Sequence, residues 1–276
     1  MKTTFKMQRG IFFLVVSLLL ITTACQNEDE TSLAAEGAEL NSELALRSAD
    51  IDLISDDIGI IVEEAYQEDE SQVSFLPTCV TITTVLTTGS RTRTIDFGQG
   101  CELPNGNVLS GIITISHEVD NNPARRMIAV TFDNFHRNDV LIEGTRSIER
   151  VVSNDAGNPQ STATVNMQVT WPNGATYSRE GTRIREWIEG VGSGTWTDNV
   201  FSITGSVTTT GVLGNTHAAT ITTALRRELA CPFIVSGTVI LSRNSASGTL
   251  VFGDGSCDNE ASWTNPNGVT QTIYLN

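Results

Sequence analysis

Lysine is missing from this chain after Lys6, so arginine carries almost all of the positive charge in its 276 residues. With 32 acidic residues against 17 basic ones and a formal charge of −15, the chain lacks the cationic surplus that a phosphate backbone attracts, which argues against a nucleic-acid partner. Histidine is scarce. Only His117, His136 and His217 occur, and no two cysteines have the two-residue spacing of a zinc site, so no metal cluster is indicated. A Gly-x-Ser-x-Gly elbow and a glycine-rich phosphate loop are both lacking, and no cofactor motif appears. Nothing selects one carboxylate pair for glycoside hydrolysis, so the reading is non-enzymatic, with a hydrolase of unidentified site as the lowest alternative. Also missing is an apolar run of the roughly 20 residues that a spanning helix requires.

The longest apolar run, Ile11 to Ile21, is broken only by Ser17, follows Lys2, Lys6 and Arg9, and precedes Thr22-Thr23-Ala24-Cys25. A basic start, a short apolar stretch and small residues before a cysteine make a secretory signal over residues 1–24. The segment resembles the lipobox of bacterial lipoproteins, with Thr22 in place of the preferred leucine. That resemblance implies cleavage before Cys25 and acylation of its thiol. The membrane would then be a partner through lipid on Cys25, at about 0.8 kcal/mol per buried methylene. The following Gln26-Asn27-Glu28-Asp29-Glu30 looks like the acidic tag with which Bacteroidetes-type lipoproteins reach the outer face of the outer membrane. Surface display is therefore expected, with a periplasm-facing placement as the alternative.

Without residues 1–24 the chain keeps all 32 acids but only 14 arginines, a formal charge near −18. The acids crowd into residues 26–70, which hold 15 of them against Arg47 alone. Residues 25–47 are expected to be a lipid-anchored acidic tether. In residues 48–70, Ile51, Ile54, Ile58, Ile61, Val62 and Ala65 recur at spacings of three and four, which predicts an amphipathic helix from about Ala49 to Tyr66. Ser48 is the expected N-cap, with Asp50 and Asp52 in the first turn. The helix is expected to lay its apolar stripe on the rest of the protein; the alternative makes it the interface of a scaffold subunit in an envelope complex.

Residues 71–276 read as one β-domain. Apolar residues hold every second position in Ala163-Val165-Met167-Val169-Trp171, in Phe201-Ile203-Gly205-Val207 and in Phe233-Val235-Gly237-Val239-Leu241, which is the period of half-buried strands. About twelve strands joined by short turns predict a single antiparallel meander, all-β, forming a curved sheet, a sandwich or a partly open barrel. Gly111, Gly205 and Gly237 fall inside strands, where glycine marks bends and close backbone approach.

Four cysteines remain beside Cys25. Facing residues in a hairpin are equidistant from its turn: Cys79 and Cys101 centre on Ser90, Cys231 and Cys257 on Asn244. Both centres lie in turn-like sequence, so the pairs are predicted as disulfides, each worth roughly 3 kcal/mol in the chain-entropy account.

Candidate ligand contacts come from aromatic and cationic residues. Trp171, Trp187, Trp196 and Trp263 could stack on sugar rings, though such side chains more often fill a β-domain core. Glu143-Gly144-Thr145-Arg146 is echoed by Glu180-Gly181-Thr182-Arg183, followed by Arg150 and Arg185 respectively. These charges are expected to form ion pairs on a wet face, or a basic groove for a carboxylate if the two strands are adjacent. Asp254, Asp258 and Asp120-Asn121-Asn122 read as turn formers rather than calcium ligands. With its Phe-Gly-x-Gly-Cys flanks and paired Gly-Thr-Arg strands, the β-domain looks like those of uncharacterised Bacteroidetes-type envelope lipoproteins. That resemblance implies a binding domain for a glycan, a lipid or an envelope protein.

Overall fold

The computed structural model describes residues 39–71, 76–119 and 124–275, with side chains in the helix described as far as Tyr66. The signal segment, Cys25, the acidic tag and Asp120-Asn121-Asn122 lie outside these residues. Helix α1 spans Ser42–Ser71 and is followed by fourteen strands. These are β1 Thr81–Leu86, β2 Ser90–Asp96, β3 Cys101–Glu102, β4 Val108–Glu118, β5 Arg125–Arg137, β6 Val140–Val151, β7 Gln160–Thr170, β8 Thr176–Glu189, β9 Val200–Thr210, β10 Thr216–Glu228, β11 Ile234–Arg243, β12 Ala246–Phe252, β13 Glu260–Thr264 and β14 Thr270–Tyr274. They form one antiparallel sheet in chain order, with β3 set aside as a short partner of β4. The expected meander is therefore present. Its end strands, β1 and β14, are not paired with each other, so the sheet is open.

The sheet curls around the helix. Leu44, Ile51, Leu53, Ile54, Ile58, Ile60, Ile61 and Val62 are buried, and so are Asp50, Asp52, Asp56, Asp57, Glu63 and Glu64. A helix buried on every side belongs to the core rather than to a surface layer. It starts earlier than its apolar period suggests. Asn41, not Ser48, supplies the cap, since its Oδ1 accepts the Leu44 N–H at 2.9 Å. Ser48 lies inside the helix and is buried. Residues 42–47 therefore belong to α1 and not to a tether.

Alternation along the strands settles which side chains join this core. Ala163, Val165, Met167 and Val169 of β7 and Val235, Val239 and Leu241 of β11 are buried, as their period predicts. Gly205 and Gly237 have φ of +117° and +123°, and a Cβ on Gly237 would stand 2.7 Å from the Ala224 carbonyl oxygen and the Leu225 Cα of β10. Only glycine allows that approach without strain.

Both disulfides form as predicted, Cys79–Cys101 and Cys231–Cys257, with Cα atoms 5.7 and 5.6 Å apart. The first hairpin differs in detail. Thr81 faces Asp96 and Leu86 faces Arg91, so it centres between Thr88 and Gly89 rather than on Ser90. Cys101 is accordingly not on β2 but on β3, opposite Leu109 of β4, and the bond ties the start of β1 across to that added strand. In the second hairpin Arg243 faces Ala246 around Asn244, whose φ of +54° suits a tight turn.

Candidate functional site

Arginines on five strands point at the helix. Arg93 of β2, Arg137 of β5, Arg146 and Arg150 of β6, Arg179, Arg183 and Arg185 of β8, and Arg227 of β10 are all buried. The expectation of a wet face for the Glu and Arg doublets is thus corrected. Residues at even spacings share one face of a strand, so Arg146 and Arg150 follow Ile142 and Ile148 inward, and Arg179, Arg183 and Arg185 follow Tyr177 and Trp187. Of the doublets, Glu149 does meet an arginine on the surface, Arg125 at 2.7 Å.

The inward arginines take up the carboxylates of α1. Asp52 Oδ1 accepts from Arg179 Nη1 at 2.7 Å and from Arg183 Nη2 at 2.8 Å. Asp57 pairs with Arg137 at 2.7 Å and Arg227 at 3.3 Å, and accepts the Asn107 amide at 3.2 Å. Asp56 stands 3.3 Å from Arg227 and 3.6 Å from Arg185, and Glu63 pairs with Arg150 at 2.8 Å. Helix carbonyls complete the set: Arg93 donates to that of Ala65, Arg146 to Ser55, and Arg185 to Gly59. Gly59 gives the guanidinium room there, since a Cβ would lie 3.3 Å from the Arg185 Cζ and press it aside by a few tenths of an ångström. The planar guanidinium, with several donors in a fixed fork, suits such shared contacts better than an ammonium would. The absence of lysine is thereby accounted for in the core.

Burial and charge work against each other along this axis. Burial would raise the Asp52 carboxyl, but Arg179 and Arg183 outweigh it and hold it below the usual range. At Asp56 burial wins over Arg185 and Arg227, and the carboxyl is raised. Glu64 is pushed up to about 8 by burial and by its neighbour Glu63. Burial, with Arg185 beside it, brings Arg146 down to about 10. His217 is buried near Arg179 and Arg243, and its pKa falls to about 3, so the ring is neutral at pH 7.

The structure brings Arg146, Arg183 and Arg185 together, although β7 separates β6 from β8. It does not gather the tryptophans. Trp171 packs edge-on to Tyr177 with Arg47 above its ring at 4.7 Å. Trp187 lies 5.6 Å from Phe201, and Trp196 packs beside that pair with Ile60 and Leu229. Trp263 is 1% exposed, so its faces are closed to a sugar. The stacking-platform reading therefore loses Trp187 and Trp263 to the core.

A different concavity emerges where α1 begins. A cleft of about 500 Å³ lies between the start of the helix, the β11–β12 turn and the β13–β14 turn. Its walls carry the amides Asn41, Asn244, Asn265, Asn267 and Gln271 together with Glu39 and Arg243, and Trp263 lies at its base. The indole Nε1 of Trp263 has no hydrogen-bond partner. Room for this indole comes from Gly248, where a Cβ would collide with Cη2 at 2.1 Å. Local sequence does not reveal this cleft, because β13, five residues long and followed by Asn265-Pro266-Asn267, has the pattern of a loop. Asp254 and Asp258 do act as turn formers, accepting the Ser256 and Glu260 N–H groups. Among the described residues no group of three or more His, Cys, Asp or Glu is placed to hold a metal ion. No protein-family model matches the chain, and neither does any curated protein or solved structure.

Proposed function

We propose that the protein is a lipid-anchored outer-membrane protein whose helix-centred β-domain is a non-enzymatic binding module for a glycan. The cleft at the helix start carries this reading. Its volume lies within the range of small-ligand pockets, and Asn244, Asn267 and Gln271 each carry an amide donor and acceptor, while Asn41 and Asn265, whose oxygens accept the Leu44 N–H and the Asn267 and Val269 N–H groups, contribute donors. Sugar hydroxyls also donate and accept, so the two sets match. The lipobox-like segment ending at Cys25 supports attachment to the envelope, where glycans are at hand. The acidic helix is not offered as a partner surface, because its carboxylates from Asp50 to Glu64 are buried.

The test is a glycan array probed with the mature chain, followed by titration of any hit against Asn267→Ala and Gln271→Ala. Each change should weaken binding by about tenfold, the scale of one lost hydrogen bond to a neutral ligand, without altering the melting temperature. Equal affinity in wild type and both variants would remove the cleft from the reading. Metabolic labelling with an alkynyl fatty acid should mark the wild type and not Cys25→Ser.

A further inference from the structure

Cations outnumber anions at the middle of the helix. Among the described residues, Arg137, Arg146, Arg179, Arg183, Arg185 and Arg227 meet Asp52, Asp56 and Asp57 there, and Arg185 also lies near the buried Glu64. Counting Asp50, which is also buried, leaves the guanidiniums still in surplus. Uncompensated positive charge in a low-dielectric interior is costly, and it is relieved by a counter-charge or by loss of a proton.

The surplus is concentrated around one cavity. It measures about 20 Å³ and is walled by Asp52, Ser55 and Asp56 of α1, by Arg146, Arg183 and Arg185, and by apolar side chains of the sheet. Each of the three arginines is more than nine-tenths buried, and each has a nitrogen that makes no hydrogen bond: Arg146 Nε, Arg183 Nη1 and Arg185 Nη1, the last at ion-pair distance, 3.6 Å, from Asp56 Oδ1. Unsatisfied buried donors are rare and call for a partner. We propose that this cavity is a binding site for one small monovalent anion of halide size, held by N–H groups of Arg146, Arg183 and Arg185.

Size sets the class of ligand. The space is that of one small particle of about a water's size or somewhat more, which points to a monoatomic anion rather than an organic one. Asp52 and Asp56 of the lining each have an oxygen that accepts no hydrogen bond, Oδ2, and that of Asp56 is ion-paired with Arg227 Nε at 3.3 Å. Asp52 is already neutralised by two guanidiniums through its other oxygen. Asp56 has its carboxyl raised by burial, and in its protonated form it presents an O–H that an anion accepts. A water would serve the same groups geometrically but would leave the positive surplus in place.

The test uses bromide as the probe. Crystals of the mature chain grown in sodium bromide should give an anomalous peak in the cavity, in contact with Arg146, Arg183 and Arg185. Density there without anomalous signal, or bromide only on the surface, overturns the proposal. In solution, protein unfolded and refolded in gluconate should melt about 2–4 °C higher once chloride replaces gluconate at equal ionic strength. Arg146→Met should abolish that difference. Should this variant fail to fold, the bromide peak in the wild type decides alone, and identical melting in the two salts counts against the site.

Discussion

Arg179 donates to Asp52 at 2.7 Å across 127 residues of sequence, with its side chain 1% exposed. The same guanidinium donates to the Ser48 hydroxyl at 3.1 Å and to Thr209 of β9 at 3.1 Å. One side chain thus joins two turns of the helix to two strands. A desolvated charge held this way is far more sensitive to loss of its partner than an exposed one.

Asp52→Asn should lower the unfolding free energy by about 3–5 kcal/mol, since Arg179 and Arg183 both lose their carboxylate. Glu149→Gln breaks the half-exposed pair with Arg125 and should cost no more than about 1 kcal/mol. Urea midpoints of the two variants provide the comparison. A smaller loss for Asp52→Asn than for Glu149→Gln would mean that the helix is not held by its ion pairs.

Stability should pass through a plateau in pH. The Glu64 carboxyl, raised to about 8 from a usual 4.5, binds a proton in the native state that the unfolded chain releases, so stability falls as pH climbs from about 4.5 to 8. His217, lowered from 6.5 to about 3, stays neutral while the unfolded ring charges, so stability falls as pH drops from about 6.5 to 3. The two slopes oppose each other between about pH 4.5 and 6.5. Glu64→Gln should flatten the alkaline limb and His217→Gln the acid limb, in chemical unfolding followed across the range.

Gly237→Ala should cost about 3 kcal/mol or more, combining a positive φ with a Cβ pressed on the β10 backbone. Gly89, at the first hairpin turn, has nothing within 4 Å of its would-be Cβ. Gly89→Ala should be neutral or add up to about 1 kcal/mol by restricting the unfolded chain. Thermal melts separate the two.

Removing residues 26–71 should leave the remaining chain without a native fold, because eight buried arginines and the concave apolar face lose their covering together. A synthetic peptide of residues 40–71 supplied in trans should restore cooperative unfolding. Circular dichroism and a melting transition after peptide addition check this. A native, cooperative fold without the peptide would show that the helix is an accessory.

The strands were legible because each buries one face, so that residues 108–118 or 216–228 announce themselves by period alone. The helix was legible too, although its start was misplaced: Ser48 has capping chemistry, yet Arg179 claims its hydroxyl, and Asn41 caps instead. What local pattern did not reveal is the direction of the arginines. The signal was present in their parity with Ile142, Ile148, Tyr177 and Trp187, but an arginine on an apolar face is assigned inward only when a carboxylate is known to await it. Those carboxylates lie about a hundred residues earlier, on a helix whose acids look like a solvated face. The cleft was illegible for a similar reason, being assembled from two hairpin turns and a helix start that come together only in the curled sheet.

The arginine-lined interior also governs how the protein meets a protease. Trypsin cleaves after lysine and arginine; lysine ends at Lys6, and eight of the thirteen arginines beyond residue 71 face the helix. In the folded β-domain only Arg91, Arg125, Arg126, Arg226 and Arg243 retain surface. Digestion at any of the other eight requires the sheet to open, so the cut sites themselves distinguish surface nicking from release of the helix.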